Sequence, residues 1–521
     1  MMGPRQSRES KLFYAGVNIE ERVDAAHPLR KIAAAVDFAF VRTQVAGLYG
    51  IRGNPSLDPT LVLKLLFLLF YENVASEREL LRQLSCRLDW LWFLELDLDS
   101  PIPDHSVLSK ARRRWGQKVF AGFFQQILTQ CVRAGLVDGS KVHVDGSLIA
   151  ANADAGKLTL ALQLAGESLY GQLEAAEAAA DPPAGPPPVA AAGIPAPTSH
   201  VSAPTPASVA DPVPPPAAAV PPGTLYCPTD PEARVTHKYG RSVLGYKDHR
   251  VVDDRWGIIT ATLTTSAAVD EGAMLPAALE AHQRNTGLLP TEPTADKAYG
   301  TVANYCLLQE CGCTPCIPHK QVREDPDKFP RALFIYDSQA DVYQCPAGQT
   351  LHRRGVASED RYRYRTAPGV CKSCRLREQC TASAGRRVLS RQVRQDAIDW
   401  ADHCLSRAQR RARMRRRKIR SEGSFADAAN RHGYKRARWR GRERVTIQNL
   451  LIATTQNLRK LLRYGYARPR RLGARLTQAT LRTPSRNSAQ ARRTIHFCGT
   501  GQRNPAAIPL FTRIQRRPHR A

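Results

Sequence analysis

The sequence predicts a mixed α/β protein with an N-terminal helical domain and a cysteine-bearing insert in its core. Three observations support this fold class. Helical apolar periodicity fills roughly the first 125 residues. Runs of β-branched and aromatic residues then alternate with helical stretches in a βββαβαβα order. A cluster of cysteines separates most of these strands from a final arginine-rich helical part.

The composition and the charge of the chain indicate what kind of molecule the protein binds. The chain has 521 residues, of which 43% are hydrophobic, so a sizeable core is expected and a wholly disordered chain is excluded. Lysine and arginine number 76 against 47 aspartate and glutamate, a formal net charge of +29. The pI is near 10.0. This excess of positive charge predicts a polyanionic partner, and we expect nucleic acid.

The cysteine content and the apolar runs indicate the compartment. The N-terminus has no apolar segment of the export type, and the longest apolar run, residues 61–70, is too short to span a bilayer. We therefore expect a cytoplasmic, nucleoid-associated protein. In that reducing compartment the 13 cysteines favour free thiols or metal ligands over disulfides.

Residues 1–130 are predicted to be a helical DNA-binding domain. Asp58-Pro59 is typical of a helix start, and Ser76 with Glu79 has capping-box spacing. A basic helix over 105–115 could lie along a DNA groove through Arg112 and Arg113. A solvated helix face is the alternative interpretation of these two arginines.

The remaining boundaries follow from changes in composition. The core is predicted to start at 131–180, and this segment contains a strand and a helix over 158–180. The later segments are a proline- and alanine-rich linker (181–222), the second part of the core (223–319), a cysteine-bearing insert (320–395), the end of the core (396–465) and a basic, disordered tail (466–521). Within 223–319 we expect a hairpin of Leu244–Val252 and Trp256–Leu263, two helices and a short strand at Thr314–Pro318.

Three acidic residues in separate settings are the candidate catalytic groups. Asp145 and Asp296 are predicted to close apolar strands, and Glu422 to open a helix. The predicted order can bring these strand ends together and aim the helix at the same point. Carboxylates arranged in this way can hold two Mg²⁺ ions about 4 Å apart, the geometry for displacement at a phosphodiester.

Each acid also has a simpler interpretation. An aspartate at a strand end is often a turn residue, and a glutamate in a first helical turn often interacts only with the helix dipole. Other acids compete for the same role, namely Asp154, Asp230, Glu232, Asp253 and Asp270.

Basic residues flank Glu422. Nine of the fourteen residues from Arg407 to Arg420 are arginine or lysine, and a second basic stretch covers Lys435 to Arg444. Such residues can follow the phosphates of the strand to be cut. The candidate DNA contacts are Arg415, Lys418, Lys435, Arg436, Arg438 and Arg440.

The cysteines form two groups. One contains a CxxC half-site, and four thiolates suit tetrahedral Zn²⁺, although a pair of free thiols is the alternative. Its members are Cys345, Cys371, Cys374 and Cys380. We interpret the second group as core packing, and it comprises Cys311, Cys313 and Cys316.

Several segments together resemble bacterial insertion-sequence transposases of the DDE class, in the subgroup named for insertion sequence eleven-eighty-two. They are His143–Ala153, Thr229–Ala233, Leu244–Lys247, Ala295–Gly300, Glu422–Phe425 and Arg436–Gly441. The resemblance implies an RNase H-like core with Asp145, Asp296 and Glu422 as the magnesium-binding catalytic residues. It also implies Mg²⁺-dependent cleavage at transposon ends and strand transfer into target DNA, with the N-terminal helices on the terminal inverted repeats. Because two ends are paired, we expect a homodimer on DNA.

The sequence departs from that family near the glutamate. Related transposases often have tyrosine, arginine and lysine where this chain has Arg415, Lys418 and Ala429. Ala429 cannot replace a lysine that touches DNA. Two alternatives therefore stay open, a DNA-binding regulator with impaired catalysis and a metal-dependent nuclease that cuts without joining.

Overall fold

The computed structural model describes residues 2, 18–50, 52, 55–160, 224–238, 240–319, 325–358, 361–383 and 385–465. They lie within one compact unit, Met1–Ala474. The linker predicted at 181–222, most of the helix predicted over 158–180, and the predicted tail at 466–521 fall outside the described residues.

The described N-terminal region is helical, as predicted. Its helices are α1 (Ile19–Arg22), α2 (Pro28–Ala35), α3 (Phe40–Val45), α4 (Pro59–Tyr71), α5 (Glu77–Leu84), α6 (Leu88–Leu94) and α7 (Ser106–Arg133). The Asp58 side chain accepts a hydrogen bond from the Thr60 backbone and starts α4, and Ser76 caps α5 through the Glu79 backbone. The basic helix predicted over 105–115 is the first part of α7, which breaks at Gly116, where φ is +60°.

The strands form one core sheet, one smaller sheet and a short ribbon. They are β1 (Lys141–Ala150), β2 (Thr159–Leu160), β3 (Leu225–Tyr226), β4 (Arg234–Lys238), β5 (Arg241–Asp253), β6 (Ile259–Ser266), β7 (Glu292–Thr294), β8 (Ile335–Asp337), β9 (Val342–Gln344), β10 (Thr350–Ser358), β11 (Arg361–Arg365) and β12 (Val388–Gln392). The ribbon pairs β2 with β3.

The core sheet is mixed, and β1 lies inside it. Strand β5 runs antiparallel to β1 on one edge, and β7 runs parallel to β1 on the other. Strands β4 and β6 pair with successive halves of β5. A single parallel bridge between Thr294 and Cys316 extends the sheet beyond β7. The register places Asp145 opposite Arg250 and His143 beside Thr294.

Further helices follow β6, and several of them cover the two faces of the core sheet. They are α8 (Leu275–Thr286), α9 (Val302–Glu310), α10 (Arg377–Cys380), α11 (Gln395–His403), α12 (Arg407–Arg417), α13 (Gly423–His432) and α14 (Arg442–Lys460). One face buries Val142 and Val144 against α8, α9 and α11. The other face, with Ile149 and Tyr246, packs against α13, α14 and the N-terminal helices α4 and α7. The N-terminal helices and the sheet thus share one hydrophobic core.

The predicted insert contains the smaller sheet. It is antiparallel in the order β12-β11-β10-β9-β8, and it encloses its own apolar cluster of Phe334, Tyr343, Leu351, Tyr364 and Leu389. Charged and polar residues occupy much of its other face.

Three local predictions were wrong. Asp145 lies in the middle of β1 rather than at its end, because pairing with β5 continues to Ala150. The segment predicted to begin a helix at 158 contains β2 at Thr159–Leu160, paired with β3. The strand predicted at Thr314–Pro318 is reduced to the bridge at Cys316.

None of the described helices combines the length and the apolar character that crossing a bilayer requires.

Candidate active site and cysteine cluster

Asp145 is a nearly buried carboxylate at the centre of β1. One of its oxygens accepts from the Gly146 backbone at 3.0 Å, and the other lies 2.9 Å from Nη1 of Arg417. Burial raises the pKa of Asp145 to about 6, and the charges of Asp296 and Glu271 also raise it, while Arg417 opposes the increase. Asp145 is therefore surrounded by other acids and held by one cation.

Asp296 follows β7, which runs beside β1. The parallel pairing of Val142 with Pro293 and of His143 with Thr294 brings the residues that follow in both strands to the same edge. One Asp296 oxygen accepts from the Ala298 backbone at 2.8 Å, which fixes the turn after the strand. The effect of Asp296 on the pKa of Asp145 indicates that the two carboxylates are within electrostatic reach.

Glu422 approaches the same point from a helix. It is the last residue of a π-helical turn, Lys418–Glu422, which joins α12 to α13 without a break. Its side chain is 50% exposed, and its Oε1 lies 4.0 Å from Nη2 of Arg417. The helical setting was predicted, but Glu422 lies inside a continuous irregular helix rather than in a first turn.

A buried arginine anchors that helix to the sheet. Arg250, opposite Asp145 in the register, donates to the Ser424 hydroxyl at 2.9 Å and to the Gln456 side chain at 3.0 Å. Its guanidinium also pairs with Asp248 at 2.7 Å, and both side chains are fully buried. Because Ser424 is two residues beyond Glu422, this contact sets the position of Glu422 over β1.

Besides Arg417, two residues near the acids were not singled out from the sequence. Glu271 lies next to Gly146, where an added Cβ would be 3.3 Å from the Glu271 carboxyl carbon, and it pairs with Lys247 at 3.6 Å. The buried Tyr299 hydroxyl has no hydrogen-bond partner among the described residues. Burial raises the pKa of Tyr299, and so do the charges of Glu271, Asp145 and Asp296. Neither residue had a sequence signal of its own, since the role of each depends on tertiary proximity.

The competing acids have structural roles. Asp154 and Asp270 accept from nearby backbone groups in turns, at Gly156 and Gly272. The others have the following partners: Asp230 with Tyr246 and Gly441, Glu232 with Arg442, and Asp253 with the Asp138 and Gly139 backbones. Each of the competing acids therefore has a structural partner.

The residues predicted to contact DNA differ in their exposure to solvent. Six of them are exposed, namely Arg113, Arg415, Lys418, Lys435, Arg436 and Arg440. Arg112 is only 6% exposed, pairs with Glu77 and stacks on Trp439. Arg438 donates to the Leu69 and Val74 carbonyls, and burial lowers its pKa to about 10. Arg112 and Arg438 were predicted to contact DNA, but the structure makes them packing residues. Arg112 joins α7 to its neighbours, and Arg438 joins the segment before α14 to the N-terminal helices.

The four cysteines predicted to bind zinc converge in the small sheet's region. Cys345, Cys371, Cys374 and Cys380 all line one cavity of about 30 Å³. Burial raises the pKa of the Cys380 thiol, and the other three cysteines raise it further while Arg387 opposes them. The Gln349 backbone donates to the Cys345 sulfur at 3.3 Å. Cys313 and Cys316 of the second group are buried, and Cys311 packs against the same core, as interpreted.

The ligand chemistry can be compared with the predicted metals. Within the described parts of the chain, no three or more His, Cys, Asp or Glu side chains are arranged tightly enough to hold a metal ion. The oxygen donors at Asp145, Asp296 and Glu422 are of the kind Mg²⁺ prefers, and the four thiols of the kind Zn²⁺ prefers. At the acidic site a guanidinium stands between two of the carboxylates. The donors therefore fit these metals in kind, but they are not closed around a central point.

Two family models match the chain. A model described as Transposase domain (DUF772) matches residues 17–114, and one described as Transposase DDE domain matches residues 344–462. No curated protein and no solved structure matches. The N-terminal helices and the part of the core that carries Glu422 are thus those of a transposase. The two matches together support an insertion-sequence transposase of the DDE class.

Proposed function

We propose that this transposase cleaves the ends of its transposon and transfers the strands into target DNA, with Asp145, Asp296 and Glu422 as the ligands of two Mg²⁺ ions. The observation that carries the proposal is the contact of one guanidinium, Arg417, with both Asp145 and Glu422. The influence of Asp296 on the pKa of Asp145 brings in the third acid. The subgroup of insertion sequence eleven-eighty-two is compatible with both matched domains.

An RNase H-like core is part of this proposal. The sheet order β6-β5-β1-β7, with β5 antiparallel and β7 parallel to β1, supports it. In such a core the two aspartates are on adjacent strands and the glutamate is on a helix packed over them. Asp145 and Asp296 are thereby fixed by the sheet, whereas the half-exposed Glu422 can adjust.

Each residue has a distinct task in the proposed reaction. When bound, divalent ions activate the attacking oxygen and stabilise the leaving oxygen at a phosphodiester. Asp145 must be ionised to act as a ligand, and Asp296 and Glu422 share the charge of the cations with it. The exposed Arg415 and Lys418, on either side of Arg417, can hold the phosphates of the strand to be cut.

DNA is the proposed partner, as terminal inverted repeats and as target. The exposed basic residues close to Glu422 in the sequence support this role, and so does the exposed Arg113 on α7. We propose a homodimer on DNA, since two transposon ends must be held together.

A plasmid assay tests the function. A supercoiled plasmid that carries the inverted repeats flanking the coding region is incubated with the protein and Mg²⁺, and nicked and joined products are measured. We expect both products from the native protein, and loss of both with retained DNA binding for Asp145→Asn, Asp296→Asn and Glu422→Gln. Asp154→Asn, a turn residue outside the site, is the control and should remain active.

The outcomes also separate the alternatives. Nicking without joining would identify a nuclease, and binding without nicking by the native protein would identify a regulator. Full cleavage by Asp145→Asn would remove Asp145 from the site.

Structural Zn²⁺ at Cys345, Cys371, Cys374 and Cys380 is a second part of the proposal. The shared cavity and the backbone N–H donated to the Cys345 sulfur support it. We expect the double variant Cys371→Ser/Cys374→Ser to lose bound zinc, measured by elemental analysis, and to exchange amide hydrogens faster over residues 340–385. Cys86→Ser, at an exposed cysteine elsewhere, is the control, and equal zinc content in both variants would contradict the proposal.

A further inference from the structure

Arg417 occupies an unusual position for a surface arginine. Its side chain is only 11% exposed, although its neighbours Arg415, Arg416 and Lys418 are exposed. Its two terminal nitrogens approach Asp145 at 2.9 Å and Glu422 at 4.0 Å. Its Nε is buried and, among the described residues, has no hydrogen-bond partner. The guanidinium is therefore held by charge rather than by a complete set of hydrogen bonds.

The acids need a cation at this point. Carboxylates close to one another repel, and the nearly buried Asp145 also loses the hydration that would otherwise stabilise its charge. Arg417 is the cation that opposes this repulsion at Asp145. A metal ion bound by the same two carboxylates would compete with the guanidinium for the same oxygens.

Arg417 lies beside an irregular part of the helix. Arg417 ends α12, and the π-helical turn begins at the next residue. Such turns interrupt the regular hydrogen bonding of a helix and are frequent at functional sites. The guanidinium is planar and can bind a phosphate through two parallel hydrogen bonds, so DNA beside the exposed Arg415 and Lys418 would offer it a strong alternative partner.

We propose that Arg417 is a positioning residue that takes the place of a cation between Asp145 and Glu422 in the DNA-free protein and moves to a DNA phosphate when DNA binds. Metal and DNA then bind cooperatively, because each favours the state in which Arg417 has left the carboxylates. This inference rests on the proposed function, since it takes Asp145 and Glu422 as metal ligands.

Manganese affinity without DNA tests the inference. Binding of Mn²⁺ is measured by electron paramagnetic resonance for the native protein and for Arg417→Ala, with and without a terminal-repeat duplex. We expect Arg417→Ala to bind Mn²⁺ about tenfold more tightly than the native protein without DNA, and the increase in affinity caused by DNA to shrink. Arg416→Ala, at the neighbouring arginine that pairs with Asp254, should change neither quantity.

The results distinguish the role of Arg417 from the existence of the proposed metal site. Equal or weaker Mn²⁺ affinity in Arg417→Ala would overturn the role of Arg417 alone. Native Mn²⁺ affinity in Asp145→Asn would instead overturn the proposed metal site. If Arg417→Ala does not fold, Arg417→Lys retains a charge without the planar fork and should bind Mn²⁺ with intermediate affinity, so native affinity in that variant would count against the role.

The small sheet carries a second, independent feature. Arg361, Arg363 and Arg365 alternate along β11 and so share the face opposite the buried Tyr364. Arg361 is exposed, and the other two are partly exposed. The sequences of β10, β11 and β12 contain no acidic residue. Next to Arg365 in the sheet lies the exposed His352.

We infer from this charge that the arginine face of β11 is a docking surface for duplex DNA, separate from the basic helix near Glu422. The test is the salt dependence of binding to a duplex of arbitrary sequence. The triple variant Arg361→Gln/Arg363→Gln/Arg365→Gln should lower the log–log slope by about 0.9 for each phosphate that the protein no longer neutralises. A matched triple variant at Arg82, Arg284 and Arg431, exposed arginines on other helices, should lower it less. Equal slopes in the two variants would overturn the assignment.

Discussion

At the scale of single residues, Arg250 determines how the site is built. Its charge is fully buried and contacts Asp248, Ser424 and Gln456, and its guanidinium lies 4.7 Å from the Phe425 ring and 4.8 Å from the Tyr434 ring. It therefore ties β5, α13 and α14 together directly opposite Asp145. No sequence motif marks it, because its importance comes from burial and from partners distant in the chain.

Replacing Arg250 should be severe. Arg250→Met leaves the Asp248 carboxylate buried without its ion pair, which costs roughly 3–5 kcal/mol. We expect that loss in the free energy of unfolding measured by urea titration. Arg284→Met, at an exposed position on α8, should stay within about 0.5 kcal/mol of the native protein. A small effect of Arg250→Met would mean that the helix is held over the sheet by other contacts.

At the scale of elements, buried histidines join helices to their neighbours. His432, at the end of α13, bonds the Phe70 carbonyl of α4 at 2.7 Å. His282 on α8 contacts the Thr260 hydroxyl at 2.7 Å and the Gly139 carbonyl at 3.2 Å. Burial lowers the pKa of each histidine to about 4.

These histidines predict an acid-sensitive fold. As pH falls from about 6.5 towards 4, the unfolded chain takes up protons that the folded protein does not, so stability is lost over that window, by roughly 2–3 kcal/mol for each histidine. Urea titrations between pH 7 and pH 5 should show this decline. His432→Gln and His282→Gln should flatten it, whereas His403→Gln, at an exposed position, should not. A pH profile that neither histidine substitution changes would contradict the assignment.

The elements also show what could be predicted from sequence. The helix starts at Pro59 and after Ser76 follow from local caps, and the strands around Asp145 and Leu244–Val252 follow from β-branched runs. Asp145, Asp296 and Glu422 were found through short motifs, and their common site stays a prediction. Arg417, Glu271 and Tyr299 could not be singled out, since each acquires its role only when β1, β7 and α12 meet. The burial of Arg112 likewise depends on Trp439, far away in the sequence.

At the scale of the whole molecule, the N-terminal helices are part of the main core. Arg438 bonds the carbonyls of Leu69 and Val74, and the Trp439 ring lies 5.6 Å from that of Phe70. Helix α14 is buried against α4 and α7 over most of its length. The domain boundary predicted at residue 130 therefore divides residues that share one hydrophobic core.

Truncation tests this shared core. A chain that begins at residue 131 would expose the apolar side of α14, so we expect it to aggregate or to lack a cooperative thermal transition. The full chain, measured by circular dichroism under the same conditions, is the control. A folded 131–521 fragment with a sharp transition would show that the helices are an independent domain.

The most direct test of the central claim is to map the cation site by iron-mediated cleavage. Fe²⁺ replaces Mg²⁺ in the protein bound to terminal-repeat DNA, ascorbate and peroxide generate hydroxyl radicals at the ion, and the backbone cuts are located by mass spectrometry. We expect cuts close to Asp145, Asp296 and Glu422 together, all suppressed by excess Mg²⁺. Cuts near only one of these residues, or cuts that Mg²⁺ does not suppress, would contradict a single site formed by the three acids.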